Sequence, residues 1–508
     1  MSNKVCVIVD EISYNIYYMK FMEWIYSNYD VEIVFQKSNS NYFKKFLNLI
    51  KYPLLTIEHY FFSGSRKNNI HEKIKISIIP EQDIEHYFIN NPIYKYIISF
   101  TSMNNLKPID NCDIININAP LNYNFDSNYW ERIISSVLLH FDYCKYWVII
   151  LNNSGPRIIE GDIPTKNSII QLHINLLRKN LETIKDYLLG NANSEQTDFS
   201  SDSQFIYSRN YFDWFLYYKK IFYLFLLKIY FSKNGIINFW NVGYYFGKWN
   251  DFKFQNFKKF KIKNHSYVAD PFLFSYRNKT YCFVEEYLFA KKKGVISYYS
   301  LDDNEFIYSD IIIEEEFHLS FPFIFEYENN IFLCPESTAN KDIRLYRSVD
   351  FPTKWEFVTT IMQNVNAADS MLFYYSDLWW LFTNINSDFN SDNCSDFSIF
   401  YSKDLFSNNW ISHLCNPISR SSLNARNGGY FISEKKIYRV NQQHGMGVYG
   451  KRFQINEIVK LSPNEYKEIH LKTIGKNEIG DIVGSHHFTS VNNINVFDFV
   501  YNKLNKII

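Results

Sequence analysis

The fold is decided by a stretch of sixteen residues, DPFLFSYRNKTYCFVE, which runs from Asp270 to Glu285. Two runs of aromatic and aliphatic residues flank Arg277 and Asn278, which is the pattern of a β-hairpin. In an antiparallel hairpin the first residue of one strand faces the last residue of the next. The carboxylates of Asp270 and Glu285 are therefore predicted to meet at one end of this hairpin.

The same pattern returns along the chain at intervals of about 50 residues. The copies are FPFIFEYENNIFLCPE from Phe321, DSMLFYYSDLWWLFTN from Asp369, RNGGYFISEKKIYRVN from Arg426 and a fainter one near His486. Each repeat has room for about four short strands, which is typical of a β-propeller blade. The sequence predicts an all-β five-bladed propeller over 237–508, and a β-sandwich is the alternative.

A shared register brings the heads of the repeats together, because the innermost strands of all blades start at one end of the central channel. The predicted heads are Asp270, Phe321, Asp369, Arg426 and His486, and their hairpin partners are Glu285, Glu336, Asn384 and Asn441. Clustered ionisable groups favour a functional site at this mouth. The alternative is a structural network, in which the acids accept hydrogen bonds from turns and Arg426 neutralises them.

The first 189 residues have a different pattern, typical of an α/β domain. KVCVIVD and VEIVFQK read as strands around a helical segment, and this βαβ unit predicts a parallel sheet. No GxGxxG follows the first strand. Residues 190–236 are predicted to be a linker and an aromatic helix. Its segment 211–231 carries too many charges for a good transmembrane span, so it is either a buried interdomain helix or a helix on a membrane surface.

Net charge, cysteine spacing and the N-terminal residues restrict the partners, cofactors and cellular location that we expect. The formal net charge is zero, which argues against a nucleic-acid-binding surface. The seven cysteines form no CxxC pair, so we expect reduced thiols and neither a metal site nor a cofactor. The N-terminal MSNKVCVIVDE does not have the pattern of a signal peptide, so we expect the protein in the cytoplasm. Contact with a membrane surface through 211–231 is compatible with this location.

Several motifs resemble a known family. ADPF, FVEE, HLSFPFIFE, PES, ADSMLF and WWLF are similar to the propeller domain at the N-terminus of plant glucosamine inositolphosphorylceramide transferases. The resemblance covers about 237–508 and implies glycolipid glycosylation. Bacterial members couple the propeller to a formyltransferase-like domain, which implies that fold for 1–189. The strand that would carry the formyl-transfer residues has Asn118 without the following His, so that domain is predicted to be degenerate and inactive.

A more distant resemblance is to five-bladed glycosidases of the arabinanase, xylosidase and invertase type. Asp270 matches their first-blade acid, and Asp369 holds the equivalent place two blades on. Phe321 stands where another acid is common, with Glu336 the nearest carboxylate, and a general-acid Glu in the later blades has no clear match. The predicted catalytic residues are Asp270, Asp369 and Glu336, and the predicted substrate-binding residues are Glu285, Arg426, Gln443 and His486.

Three functions are compatible with these observations. The first is a cytoplasmic glycosyltransferase of surface polysaccharide or glycolipid biosynthesis, which would take a sugar or nucleotide-sugar and a glycan or glycolipid acceptor. Asp270 would deprotonate the acceptor, and Arg426 and His486 would stabilise a leaving phosphate. The second is a glycoside hydrolase with two carboxylates around the scissile bond. The third is a sugar-binding module in which Trp379 or Trp380 stacks on the ligand.

Overall fold

The computed structural model describes residues 4–10, 16–37, 75–80, 94–99, 112–117, 133, 136–137, 141–190, 195–196, 217–226, 236–251, 254–263, 265–386 and 396–504. The chain divides into two compact units, with the main boundary between Tyr217 and Tyr218. Position 118 lies outside the described residues. The formyltransferase-like assignment of the first unit stays a prediction.

The first unit contains an eight-stranded sheet. Its elements are β1 (Lys4–Asp10), α1 (Ile16–Asn28), β2 (Asp30–Lys37), β3 (Lys75–Pro80), β4 (Tyr96–Ser99), β5 (Asp113–Ile117), β6 (Tyr143–Asn152), β7 (Gly155–Pro164), α2 (Ile169–Leu188) and β8 (Glu195–Gln196). The strand order is β3-β2-β1-β4-β5-β6-β7-β8. The predicted βαβ start is present as β1, α1 and β2.

The sheet is mixed, which corrects the expectation of a parallel sheet. Strands β1 to β5 pair in parallel, but β6, β7 and β8 are antiparallel to their neighbours. The pairing of β6 with β7 is antiparallel because β6 returns directly into β7 through a tight turn at 153–154. Gly155 supplies the positive φ of 101° after that turn. Ser168 then caps α2 by accepting a hydrogen bond from Gln171 N at 3.1 Å.

The second unit is a propeller of five four-stranded sheets, as predicted. Four blades are consecutive in sequence, with the bounds β11 (Ser266–Tyr276), β12 (Lys279–Leu288), β13 (Lys293–Asp302), β14 (Glu305–Ile313); β15 (Ser320–Tyr327), β16 (Asn330–Ser337), β17 (Asp342–Asp350), β18 (Lys354–Gln363); β19 (Asn366–Tyr375), β20 (Leu378–Asn386), β21 (Ser398–Ser402), β22 (Ile411–Ser412); and β23 (Asn427–Ser433), β24 (Lys436–Gly445), β25 (Val448–Ser462), β26 (Glu465–Ile474).

The fifth blade closes the ring with strands from both ends of the propeller. It comprises β9 (Ile236–Phe246), β10 (Lys258–Lys259), β27 (Phe488–Val491) and β28 (Ile494–Leu504), in the order β10-β9-β28-β27, and a short helix α3 (Lys476–Ile479) precedes β27. Strand β28 pairs with β9 along its whole length, from Ile494 opposite Phe246 to Leu504 opposite Ile236. This split origin explains why the fifth repeat is faint in the sequence.

The hairpins share one turn chemistry, which fixes the register of the blades. Six of the described turns place two consecutive non-glycine residues at positive φ, as in type I′ turns: Arg277–Asn278, Asp303–Asn304, Glu328–Asn329, Ser376–Asp377, Glu434–Lys435 and Asn492–Asn493. Asn and Asp tolerate this left-handed backbone best, and each turn contains one of them except Glu434–Lys435. The twist of this turn type matches that of the paired strands.

The aromatic residues make the cores between blades. Phe272, Phe321 and Phe323 pack edge to face, with ring centroids 4.9 and 5.5 Å from Phe272. Both Trp379 and Trp380 are buried, at 2% and 0% exposure. Neither indole is therefore available to stack on a sugar, which corrects that candidate role.

The predicted aromatic helix is helical over its described part, 217–226. Tyr217 is buried, and its hydroxyl accepts a hydrogen bond from Ile169 N at 2.9 Å. Further along the helix Phe222, Tyr223 and Leu226 are 62%, 59% and 46% exposed. Within the described part of the chain, no helix combines the length and apolarity needed to cross a membrane.

Candidate functional site at the propeller mouth

The inner strands of three blades each carry a β-bulge at the predicted head. The register shifts between Ala269 and Phe272 in β11, and equivalent shifts occur in β15 and β19. The bulged residues Asp270, Phe321 and Asp369 have φ values of 50°, 46° and 48°, which non-glycine residues rarely adopt. The bulge turns the backbone N–H of each toward the preceding blade.

These N–H groups form a chain of hydrogen bonds from blade to blade. Side-chain oxygens of one blade accept the N–H of the next: Asp498 from Asp270 at 3.3 Å, Asp270 from Phe321 at 3.2 Å, Glu336 from Asp369 at 3.1 Å, and Asn384 from Asn427 at 3.0 Å. The acids at the mouth thus have a structural role, as the alternative interpretation proposed. Their remaining oxygen atoms decide whether they also have a chemical role.

A buried histidine lies between two of these carboxylates. Nδ1 of His486 is 2.5 Å from Oδ2 of Asp498, and its Nε2 is 3.8 Å from Oδ1 of Asp270. The other oxygen of Asp498 accepts the backbone N–H groups of His486 and His487, at 2.9 and 3.0 Å. Asp498 therefore fixes the position and orientation of the His486 ring, with Nε2 directed toward Asp270.

The pKa values of the two carboxyl groups beside His486 are shifted in opposite directions. Burial raises the pKa of Asp270 to about 7, against the attraction of His486. For Asp498 burial also favours the neutral acid, but the adjoining His486 outweighs it and holds the pKa below its ordinary value. Burial opposes charge on His486 as well, yet Asp498 raises its pKa. The neighbouring His487 is equally buried, its ring forms no ion pair with a described carboxylate, and burial lowers its pKa to about 3.

A second cluster is centred on Asp369. Nε of Arg426 donates to Oδ2 of Asp369 at 2.7 Å, and its Nη2 is 3.6 Å from Oε2 of Glu336. Nε2 of Gln442 also donates to Oδ2 of Asp369, at 2.7 Å. Burial raises the pKa of Asp369 to about 7, although Arg426 opposes the shift. Asp369 is thus engaged as an ion-pair partner, whereas Oδ1 of Asp270 has no closer cation than His486 among the described residues.

Glu285 lies near these groups and is buried. Burial, followed by repulsion from Asp270, raises its pKa well above the ordinary value. Oε1 of Glu285 is 3.4 Å from Nε2 of His318. The other ring nitrogen of His318 accepts a hydrogen bond from Gly294 N at 2.8 Å, which leaves the proton of a neutral ring on Nε2. Burial lowers the pKa of His318, so Glu285 faces a neutral donor.

Aromatic rings line one side of the site. Trp240 stacks on His486, with ring centroids 4.3 Å apart and planes at 21°. Tyr449 contacts the edge of His486 at 5.3 Å, lies 5.5 Å from the guanidinium of Arg426, and remains 48% exposed. Flat aromatic surfaces beside polar groups are typical of carbohydrate sites.

The backbone beside Tyr449 depends on a glycine. Gly450 has φ +59°, and a Cβ there would lie 2.9 to 3.0 Å from Cβ, Cγ and Cδ2 of His486. Its N–H donates to Nδ1 of His444 at 2.9 Å. This residue holds the start of β25 directly against His486.

We expect Gly450→Ala to destabilise the propeller by about 1 to 2 kcal/mol from the left-handed backbone alone, and also to displace the His486 ring. The measurement is the titration of the His486 ring protons by NMR, together with a thermal melt. Gly190→Ala is the control, because Gly190 has φ +75° and nothing within 4 Å of the added Cβ. An unchanged His486 titration in Gly450→Ala would contradict the proposed close packing.

The structure brings most of the predicted site residues together, but the predicted register needs correction in all four consecutive blades. Asn427, not Arg426, pairs with Asn441, although the Arg426 side chain still reaches Asp369. In the first three blades Ala269, Ser320 and Ala368 stand opposite the predicted partners, one residue before the predicted heads. A one-residue slip moves side chains to the other face of a strand.

Gln443, a predicted substrate-binding residue, has both ends of its amide engaged. Its Nε2 donates to Leu423 O at 2.8 Å, and its Oε1 accepts from Nε of Arg452 at 2.6 Å. The residue that contacts Asp369 is its neighbour Gln442. Sequence reasoning also missed Asp498 and Trp240. An acid inside the apolar run NVFDFV was a usable signal for Asp498, whereas Trp240 lies on β9, which comes from the other end of the repeat array.

Three of these side chains have the atom types of a metal site. One ligand atom from each of Asp270, His486 and Asp498 can be chosen so that all lie within 4.8 Å of one another. Asp498 already uses both oxygens in hydrogen bonds or an ion pair with His486 and its neighbours. Because both oxygens of Asp498 are already engaged, we assign no metal to this group.

Comparison with known proteins agrees with the predicted resemblance. Residues 256–482 match the family described as "Glucosamine inositolphosphorylceramide transferase 1, N-terminal". The predicted resemblance is confirmed over these residues. Glucosamine inositolphosphorylceramide transferase 1 of Oryza sativa subsp. japonica is 37% identical over 211 residues, 40% of this chain and 28% of that protein. The protein of the same name from Arabidopsis thaliana is 32% identical over 234 residues, 44% of this chain and 30% of its own length.

Both relatives are much longer than the shared region, since the match spans less than a third of either. Among solved structures, a thermostable family-43 glycoside hydrolase has a TM-score of 0.34 at 12% identity, covering 49% of this chain and 93% of its own. The α-L-arabinanase of Cellvibrio cellulosa has a TM-score of 0.33 at 14% identity, covering 47% and 89%. Likeness at this level carries no argument about activity.

Proposed function

We propose that this protein takes part in glycosylation of a glycolipid in the cytoplasm, and that the propeller mouth binds the carbohydrate whose hydroxyl group reacts. The kinship with named glycolipid transferases supports the substrate class. The observation that carries the site is the pair formed by Oδ1 of Asp270 and Nε2 of His486, 3.8 Å apart and both buried.

This separation suits a bound hydroxyl group. It exceeds a hydrogen bond, but one oxygen atom can sit about 2.8 Å from both atoms. The hydroxyl would donate to Asp270 and accept from His486, whose ring is fixed by Asp498. Asp270, with a pKa raised by burial to about 7, has the proton affinity of an effective general base near neutral pH. As the hydroxyl oxygen bonds to the anomeric carbon of a nucleotide-sugar, its proton would pass to the Asp270 carboxylate. The bond from that carbon to the nucleoside diphosphate would break, and the diphosphate would leave with the electron pair.

The direct test is product formation by the full chain. Nucleotide-sugar donors are supplied with glycolipids that present uncharged sugars, and labelled glycolipid is separated from the unreacted donor. We expect the wild type to transfer sugar to the glycolipid and Asp270→Asn to lose this activity. Release of free sugar without glycolipid product would instead favour the hydrolase. Retention of sugar with neither product would favour the binding module.

The exposed helix face offers a separate prediction about membrane contact. Phe222 and Leu226 lie one turn apart, and Lys219 on the same helix is exposed. If this face lies on a lipid surface, Phe222→Ser with Leu226→Ser should reduce cosedimentation with anionic vesicles by about fivefold or more. Val349→Ser with Leu414→Ser is the matched control, since these side chains are 63% and 68% exposed elsewhere. Equal losses in both double variants, or no vesicle binding by the wild type, would contradict the membrane role.

A further inference from the structure

The two cations at the mouth were expected to hold a leaving phosphate, but both lie against carboxylates. Arg426 contacts Asp369 at 2.7 Å and Glu336 at 3.6 Å. His486 contacts Asp498 at 2.5 Å. A phosphate would have to compete with these fixed internal partners for each cation. Such competition is costly, because separating a buried ion pair leaves a carboxylate uncompensated.

The charge balance of the site opposes anions further. Five carboxyl groups that influence one another's ionisation lie here: Asp270, Glu285, Glu336, Asp369 and Asp498. Repulsion within this set contributes to the raised pKa of Glu285, after burial. A doubly charged pyrophosphate would add to that repulsion at a poorly solvated position.

Two acceptor oxygens in this group also favour hydroxyls. Oε1 of Gln442 is buried and has no hydrogen-bond partner among the residues that the structure describes, and it lies beside the Asp369 carboxylate that its own Nε2 contacts. Oδ1 of Asp270 is an acceptor too when the acid is ionised. Acceptors such as these need a donor, which a sugar hydroxyl supplies and a fully ionised phosphate oxygen does not. The rings of Trp240 and Tyr449 add apolar surface for a sugar face.

We propose that the propeller mouth is the site of an uncharged glycan, the acceptor, and that the anionic nucleotide-sugar donor binds elsewhere. This assignment rests on the proposed function for the meaning of acceptor and donor, but not for the selection against anions. It replaces the expectation that Arg426 and His486 stabilise a leaving phosphate.

The test uses the immobilised full chain on an array of uncharged oligosaccharides and their phosphorylated counterparts. We expect the protein to retain uncharged glycans and to bind their phosphorylated counterparts with an affinity at least about tenfold lower. Pyrophosphate at about 1 mM should not displace the bound glycan. Loss of retention in Asp270→Asn places the glycan at the mouth. Preference for the phosphorylated forms, displacement by pyrophosphate, or no retention of any uncharged glycan by the folded protein would overturn the assignment.

A variant that gains binding of anions tests the electrostatic argument more directly. Asp369→Asn removes the closest partner of Arg426, so discrimination against the phosphorylated counterparts should shrink several-fold and pyrophosphate should begin to compete. Glu336→Gln is the second variant should Asp369→Asn fail to fold, because Glu336 is the other carboxylate on Arg426. Unaltered discrimination in a folded variant counts against the electrostatic argument. Glycan binding at the mouth without transfer from any donor would defeat the proposed function and leave this site assignment standing.

Discussion

Product formation by Asp270→Asn is expected to fall by about 100-fold or more, while the thermal melting temperature changes little at neutral pH. The substitution is nearly isosteric and keeps one oxygen that can accept the N–H of Phe321. It removes the basic oxygen that faces Nε2 of His486. Asp302→Asn is the control, because Asp302 is exposed on β13.

The pH dependence of stability separates this role from a merely structural one. The folded pKa of Asp270 is raised to about 7 from an ordinary value of 3.8, so the native state binds more protons than the unfolded state between these values. The contribution of Asp270 to stability is therefore present below about pH 4 and is lost as the pH rises through 7. Since Asn cannot ionise, the melting temperature of the variant relative to wild type should rise from pH 5 to pH 8. A stable, fully active Asp270→Asn protein would remove Asp270 from the site.

The propeller was predictable from sequence because turns and register repeat together. In the first three copies the type I′ turn begins seven residues after the head, as at Asp270 and Arg277. In the fourth copy Glu434 follows Arg426 by eight residues, and the true equivalent is Asn427. That one-residue slip is also why Asn441 was predicted as the partner of Arg426, whereas the N–H of Gln442 donates to Arg426 O at 2.8 Å and Gln442 contacts Asp369. Adjacent strand residues face opposite sides.

The details of the site were less predictable, because they depend on contacts between blades. No pattern within one repeat indicates that Asp498 accepts the N–H of Asp270, or that Asp498 also contacts the His486 ring. The bulges are equally hidden, because Phe321 at φ 46° breaks the usual preference of aromatic residues for extended backbone. In the first unit, the βαβ pattern extended the parallel prediction to strands β6 and β7, whose direct hairpin reverses it.

The largest effect on stability is expected for Arg426→Met. Arg426 is 8% exposed and Asp369 is 2% exposed, so the change would leave a buried carboxylate without its cation. Loss of one partner from a buried pair costs about 3 to 5 kcal/mol of the free energy of unfolding. Arg347→Met is the matched control, because Arg347 pairs with Glu356 where both side chains are 46% exposed. An exposed pair of this kind is worth about 1 kcal/mol or less.

The cost should depend on pH in a defined direction. Burial raises the pKa of Asp369 and Arg426 opposes that rise, so removing Arg426 raises the pKa further. At a pH below this pKa the Asp369 carboxyl takes up a proton and no longer needs a cation. The free energy of unfolding lost in Arg426→Met, measured with a denaturant, should therefore be smaller at pH 5 than at pH 8. Adding Asp369→Asn to Arg426→Met should recover most of the loss at pH 8, since the uncompensated charge is gone. A loss that is equal at both pH values and is not recovered in the double variant would show that Arg426 stabilises the propeller by packing, and not by neutralising Asp369.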